Sequence, residues 1–167
     1  MTHILLLVAA LELGAQHPAM PAGMTHEEHL AQMKKDETLK QRGAAVMGFD
    51  QNVTTHHFRI APDGGSIEVV VKTATDETNL SAIRGHLKEI AEAFAAGDFS
   101  KPFATHGEVP PSVKTMKQRR RALMFTYEDV ADGGRVVIRS SDAKAIDAVQ
   151  LFLRYQIREH GTGDPTT

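Results

Sequence analysis

The chain has 167 residues, a net charge of −2 and no cysteine. Disulfides, thiolate zinc sites, iron–sulfur clusters and a cysteine nucleophile are thereby excluded, and no overall positive field draws the chain to nucleic acid or an anionic membrane. With 41% hydrophobic and 24% charged residues it can bury one core, so one domain with extensions is expected, while nine histidines and seven methionines exceed what packing needs.

The apolar run from Ile4 to Leu11 is too short for a stable membrane span. Glu12 ends it, and Leu13-Gly14-Ala15 offers small residues ahead of Gln16. Residues 1–15 thus read as a signal-peptide-like segment, although Met1-Thr2-His3 lacks the usual positive charge. The expected location is periplasmic or secreted; the competing reading is a buried N-terminal helix. Residues 16–45 read as a linker and a helix. Thr25 and Glu28 have the spacing of a capping box, and the helix is expected to stop at Gly43. His26, His29 and Met33 share one face of it, with His17, Met20 and Met24 just upstream, a donor mixture that suits copper.

Residues 46–160 then read as an α+β domain. From Thr55, alternation puts His56, Phe58 and Ile60 on one side of a strand and His57 and Arg59 on the other. Asp63-Gly64-Gly65 turns the chain into a second alternating run, and a capped helix follows with the stripe Leu80, Ile83, Leu87, Ile90 and Phe94. The same order recurs after Arg121, with Asp132-Gly133-Gly134 as the turn and Ile146, Val149, Leu153 and Ile157 as the helical stripe. Two ββα units, 55–97 and 121–160, make a four-stranded, largely antiparallel sheet with two helices on one face, preceded by the N-terminal helix. Residues 161–167 are expected to form a flexible tail. A long loop from Gly97 to Ser112 joins the units and carries His106 and Glu108; a basic run from Lys114 to Arg121 follows it.

The candidate chemistry is a metal site. His56 or His57 with His106, backed by Glu108 or His86, has the composition of a histidine–carboxylate site for copper, zinc or iron. A regular strand offers only one of His56 and His57 to such a site. The alternatives are a metal-free interaction or assembly module, acting as a homodimer or with a protein partner through the open sheet face, and a metal-dependent or acid–base enzyme drawing on Asp50, Asp98, His106 and Glu108. No nucleophile elbow, phosphate loop, HExxH or dinucleotide-binding glycine pattern is present, so a non-catalytic role is expected.

The stretches Met47-Gly-Phe-Asp-Gln51, Thr55-His-His-Phe58, Gly97-Asp-Phe-Ser-Lys-Pro-Phe103, Arg154-Tyr-Gln-Ile157 and His160-Gly-Thr-Gly-Asp164 resemble a family of small exported bacterial proteins with no assigned activity. The resemblance runs from about His17 onward. It implies export and an intact domain, and supplies no catalytic residue.

Overall fold

The computed structural model describes residues 21–167. The signal-like segment 1–15, His17 and Met20 lie outside the described residues. The first element is α1 (His26–Met47), and both halves of the Thr25–Glu28 capping box are formed. The helix passes through Gly43 and ends instead at Gly48, which adopts the left-handed conformation at φ 73°. Gly43 is a packing glycine: it is buried, and a Cβ there would displace the side-chain ends of Met47 and Gln51.

Two hairpins follow the expected pattern. Strands β1 (Thr54–Ala61) and β2 (Gly64–Val71) form the first, β3 (Met124–Val130) and β4 (Gly133–Arg139) the second. The sheet order is β1-β2-β4-β3, antiparallel throughout. Helices α2 (Glu77–Ala96) and α5 (Ala143–His160) cover one face. Each is capped by an aspartate, Asp76 and Asp142, whose side chain accepts a backbone N–H three residues on. The joining segment is not one long loop. It holds α3 (Ser100–His106), α4 (Val113–Gln118) and a turn of 3₁₀ helix, Arg120–Ala122. Pro102 sits in the first turn of α3, where its missing N–H costs nothing, and Phe99, Val113 and Met116 anchor the segment in the core.

The two units are related by a pseudo-twofold axis. Phe58 pairs with Ile67 and Tyr127 with Val136, so the hairpins superimpose at an offset of 69 residues. Across the β2–β4 seam Ile67 pairs with Val136, its own equivalent, so the axis passes between them. The helices are exchanged about it. α2 lies chiefly over β3 and β4, and α5 over β1 and β2. Arg84 of α2 donates to the carbonyl of Val130, while Gln150 of α5 donates to that of Ala61, the matching position of the other hairpin. Each unit's strands are therefore buried by the other unit's helix.

The repeated turn glycines serve this seam. A Cβ on Gly133 would run into the Val69 carbonyl, and one on Gly64 into the equivalent Ile138 carbonyl. Gly133→Ala is expected to destabilise the protein by roughly 2 kcal/mol or more, because backbone must move. Gly85→Ala, on an exposed part of α2 with open space around it, is expected to stabilise by about 1 kcal/mol. Urea unfolding of the two variants checks the opposite signs.

Candidate functional site

The pseudo-symmetry breaks at one place. In the half where α2 meets β3 and β4, Phe94 packs edge-on against Phe125 and Phe152, with ring centroids 5.8 and 6.0 Å away, and stacks on Phe99 at 4.4 Å. The capping aspartates set the helix offset at 66 residues. Phe125, Phe152 and Phe94 then correspond to His56, His86 and His160. The other half thus carries imidazoles where this half carries phenyl rings. One contact has its counterpart with a different ring geometry: His56 stacks on His160 at 5.3 Å with 16° between planes, where Phe125 meets Phe94 edge-on.

His106, the last residue of α3, joins them edge-on to His160 at 5.1 Å. Four histidines from β1, α2, α3 and α5 thus line one cavity of about 60 Å³, together with Met47, Gln156, Thr105 and an apolar wall including Phe58, Ile67, Leu87 and Ile90. Three helices end there. Met47 closes α1, His106 closes α3 and His160 closes α5, so their partial negative ends gather at the cavity. A larger cleft of about 540 Å³, between α1 and the ends of β1 and α5, shares His56 and His160 with it.

Burial fixes the charge state. It pushes the imidazoles of His56 and His86 down to about 4 and that of His160 down to about 3. His106 is also pushed down by burial, against the opposing hydrogen bond to Gln156. All four are neutral at pH 7, the form that ligates metals. His106 Nε2 donates to Gln156 Oε1 at 2.8 Å, which leaves the lone pair on Nδ1. That Nδ1, His56 Nε2 and Gln156 Nε2 are buried with no hydrogen-bond partner. Unpaired buried polar atoms each cost roughly 1–3 kcal/mol and call for an explanation.

The candidates read from sequence separate into two groups. His56, His86 and His106 come together. His57 points away, as strand alternation requires, and hydrogen-bonds Asp164 at 3.0 Å, while the same carboxylate accepts the Phe58 N–H. The tail expected to be flexible is thereby tied to the outer edge of β1 and blunts it. Glu108 accepts the Tyr155 hydroxyl at 2.7 Å and does not line the cavity. Asp50 and Asp98 bind the backbone N–H groups of Asn52 and Ser100 in their own turns. On α1, His26 is exposed and His29 and Met33 are half-buried. Sequence reasoning passed over His160 and Gln156, although both extend the buried stripe of α5 from Leu153. Among the described residues, no three histidine, aspartate or glutamate side chains are arranged to hold one ion. His56 and His160 stack and His106 lies edge-on to His160, so the rings do not converge and coordination requires side-chain rotation about χ1 and χ2.

The depressed histidines set the acid stability of the metal-free protein. Above pH 6.5 folded and unfolded chains are both neutral at these positions. Below it the unfolded chain takes up protons that the folded chain refuses, so stability falls from pH 6.5 down to about 4. One such group accounts for on the order of 3 kcal/mol at the acid limit. Urea midpoints are expected to be flat above pH 7 and to fall steadily below 6.5, with a shallower fall in His160→Phe.

Comparison of the chain with protein-family models, with curated proteins and with solved structures found no match.

Proposed function

We propose that this protein is a non-catalytic binding domain for a transition-metal ion, held by imidazoles of His56, His86, His106 and His160. The observation that carries the reading is the replacement of a phenylalanine cluster by a histidine cluster at the pseudo-equivalent place. A duplicated fold already has an apolar solution for that position, in Phe94, Phe125 and Phe152. Desolvating imidazoles there, with nitrogens of His56 and His106 left unpaired, costs stability without improving packing. Ligation recovers that cost. The Gln156 carbonyl supports His106 as a metal-bound histidine is usually supported, through the ring nitrogen not used for the metal.

Copper, zinc and iron are all ions that imidazole serves. The apolar run from Ile4 to Leu11 supports an exported setting for this binding. Catalysis is less well supported, because Glu108, Asp50 and Asp98 are engaged elsewhere and no carboxylate lines the cavity. The reading as a partner-binding module rests on the open sheet face. There Arg59, Glu68, Arg135 and Glu128 already satisfy one another in a cross-strand network, which leaves little unmet charge to recognise a partner.

Titration of the metal-free protein is expected to show one tight ion per chain and a raised melting temperature, with about 2.7 kcal/mol of stabilisation when free metal is a hundredfold above Kd. His56→Phe and His106→Ala are expected to abolish or sharply weaken binding. Gln156→Leu is expected to weaken it by roughly 10–100-fold. His57→Ala is expected to bind as the parent does. Absence of a stoichiometric ion, or equal affinity in His56→Phe, removes the proposal.

A further inference from the structure

We infer that the ion this site selects is monovalent copper, Cu(I), in preference to divalent zinc or iron; the inference rests on the metal-binding reading above. The first ground is charge. The potential ligands are the four imidazoles and the thioether of Met47, and all are uncharged. No aspartate or glutamate lines the cavity, and the one charged lining residue is a cation, Lys101, paired to Glu89 at 2.7 Å. The cost of desolvating an ion rises with the square of its charge, so a divalent ion costs about four times what a monovalent one does. Carboxylates act on the cluster only from outside the cavity, Glu159 and Glu108 on His106 and Glu89 on His86, and the ends of α1, α3 and α5 add partial negative charge, that of α3 being met by Arg42 at the His106 carbonyl. This diffuse potential, with no formal negative charge in the lining itself, suits one positive charge better than two.

The second ground is donor chemistry. Met47 closes α1 and is 8% exposed. A thioether is a poor ligand for hard or divalent ions and a good one for Cu(I). The third is geometry. Cu(I) is satisfied by two or three soft donors, whereas structural zinc takes four in a tetrahedron and divalent iron commonly keeps water or carboxylate ligands. A cavity of about 60 Å³ has room for a dehydrated ion and little retained water. The unpaired Nε2 of His56 and Nδ1 of His106, brought together by side-chain rotation with the sulfur of Met47, complete such a site without any carboxylate.

The test uses the full chain under anaerobic, reducing conditions. Cu(I) is titrated in competition with a chromogenic Cu(I) chelator, and Zn(II) in a parallel competition with a zinc chelator. The parent is compared with Met47→Leu, a volume-conserving change, and with the double variant His56→Phe/His160→Phe. The expected result is one Cu(I) bound more tightly than Zn(II). Met47→Leu loses affinity for Cu(I) by at least about tenfold, the scale on which metal sites respond to loss of one group, and leaves Zn(II) affinity unchanged. X-ray absorption of the copper form is expected to show sulfur in the first coordination sphere, absent in Met47→Leu. Zn(II) bound as tightly as Cu(I), or Cu(I) affinity and spectrum unaltered in Met47→Leu, overturns the copper inference while leaving a metal site standing. Cu(I) retained by the double variant places the ion elsewhere and overturns it too. Failure of both metals to bind removes the proposed function itself.

Discussion

The antiparallel pairing of β2 with β4 constrains the rest of the molecule, because it joins the two repeats through residues that occupy the same place in each. Ile67 faces Val136 across the seam. Everything near the axis must then be tolerated twice, and Gly64 and Gly133 are the result: each lies against the other unit's backbone carbonyl, at Ile138 and Val69 respectively. The exchange of helices follows from the same axis. A hairpin whose own helix crosses to the neighbouring hairpin has its apolar face covered only when both units are present. The core residues Ile83, Leu87, Val149 and Leu153, nearly inaccessible to solvent, belong to both units at once, so the domain folds as one cooperative body.

That shared core explains where a costly polar cluster can be carried. Phe94, Phe99, Phe125 and Phe152 form the well-packed cluster, Phe94 and Phe152 also bordering the histidine cavity, with aromatic contacts worth something beyond their buried area. His56, His86, His106 and His160 occupy the other half and contribute less, since their ring nitrogens are desolvated. Because each hairpin is covered by the other unit's helix, stability generated at the phenylalanine cluster supports the histidine cluster. The outer partners add rigidity. Tyr155 lies edge-on to His106 at 5.1 Å and is held by Glu108, so the ring of His106 is framed by Tyr155 on one side and Gln156 below.

Much of the fold was legible because its signals are local. Alternation around two Asp-Gly-Gly turns, two aspartate caps and two stripes at spacings of three and four fixed the strands, helices and their common face. Strand alternation also separated His56 from His57. What stayed hidden depends on long-range geometry. The crossing of α2 and α5 has no local signature, so the stripes could not say which hairpin each helix covers. Gly43 looked like a helix stop because a buried packing glycine and a capping glycine read alike. Phe99, Val113 and Met116 turn the connector into packed helices through contacts that sequence spacing does not reveal. His160 follows Ile157 by three residues and so lies on the buried stripe, yet a histidine at a helix end also reads as a cation at the C-terminus. Only the tertiary fold distinguishes the two.

The element outside the repeat completes the arrangement. α1 has no counterpart in the pseudo-symmetric pair, and it lies over the histidine half. Its last turn delivers Met47 to the cavity and leads to Phe49, which packs on both His56 and His86. Farther up, Lys35 pairs with Glu159 at 2.8 Å, and Arg42 reaches the carbonyl of His106. These attachments are polar and partly exposed, so each is weak, and the cleft beneath the helix remains wide at about 540 Å³. A tight apolar seal by α1 would have closed the cleft that His56 and His160 also line. A helix held at its C-terminal end by core residues and elsewhere by one solvated ion pair and one hydrogen bond covers the histidine cavity and leaves the wide cleft beside it.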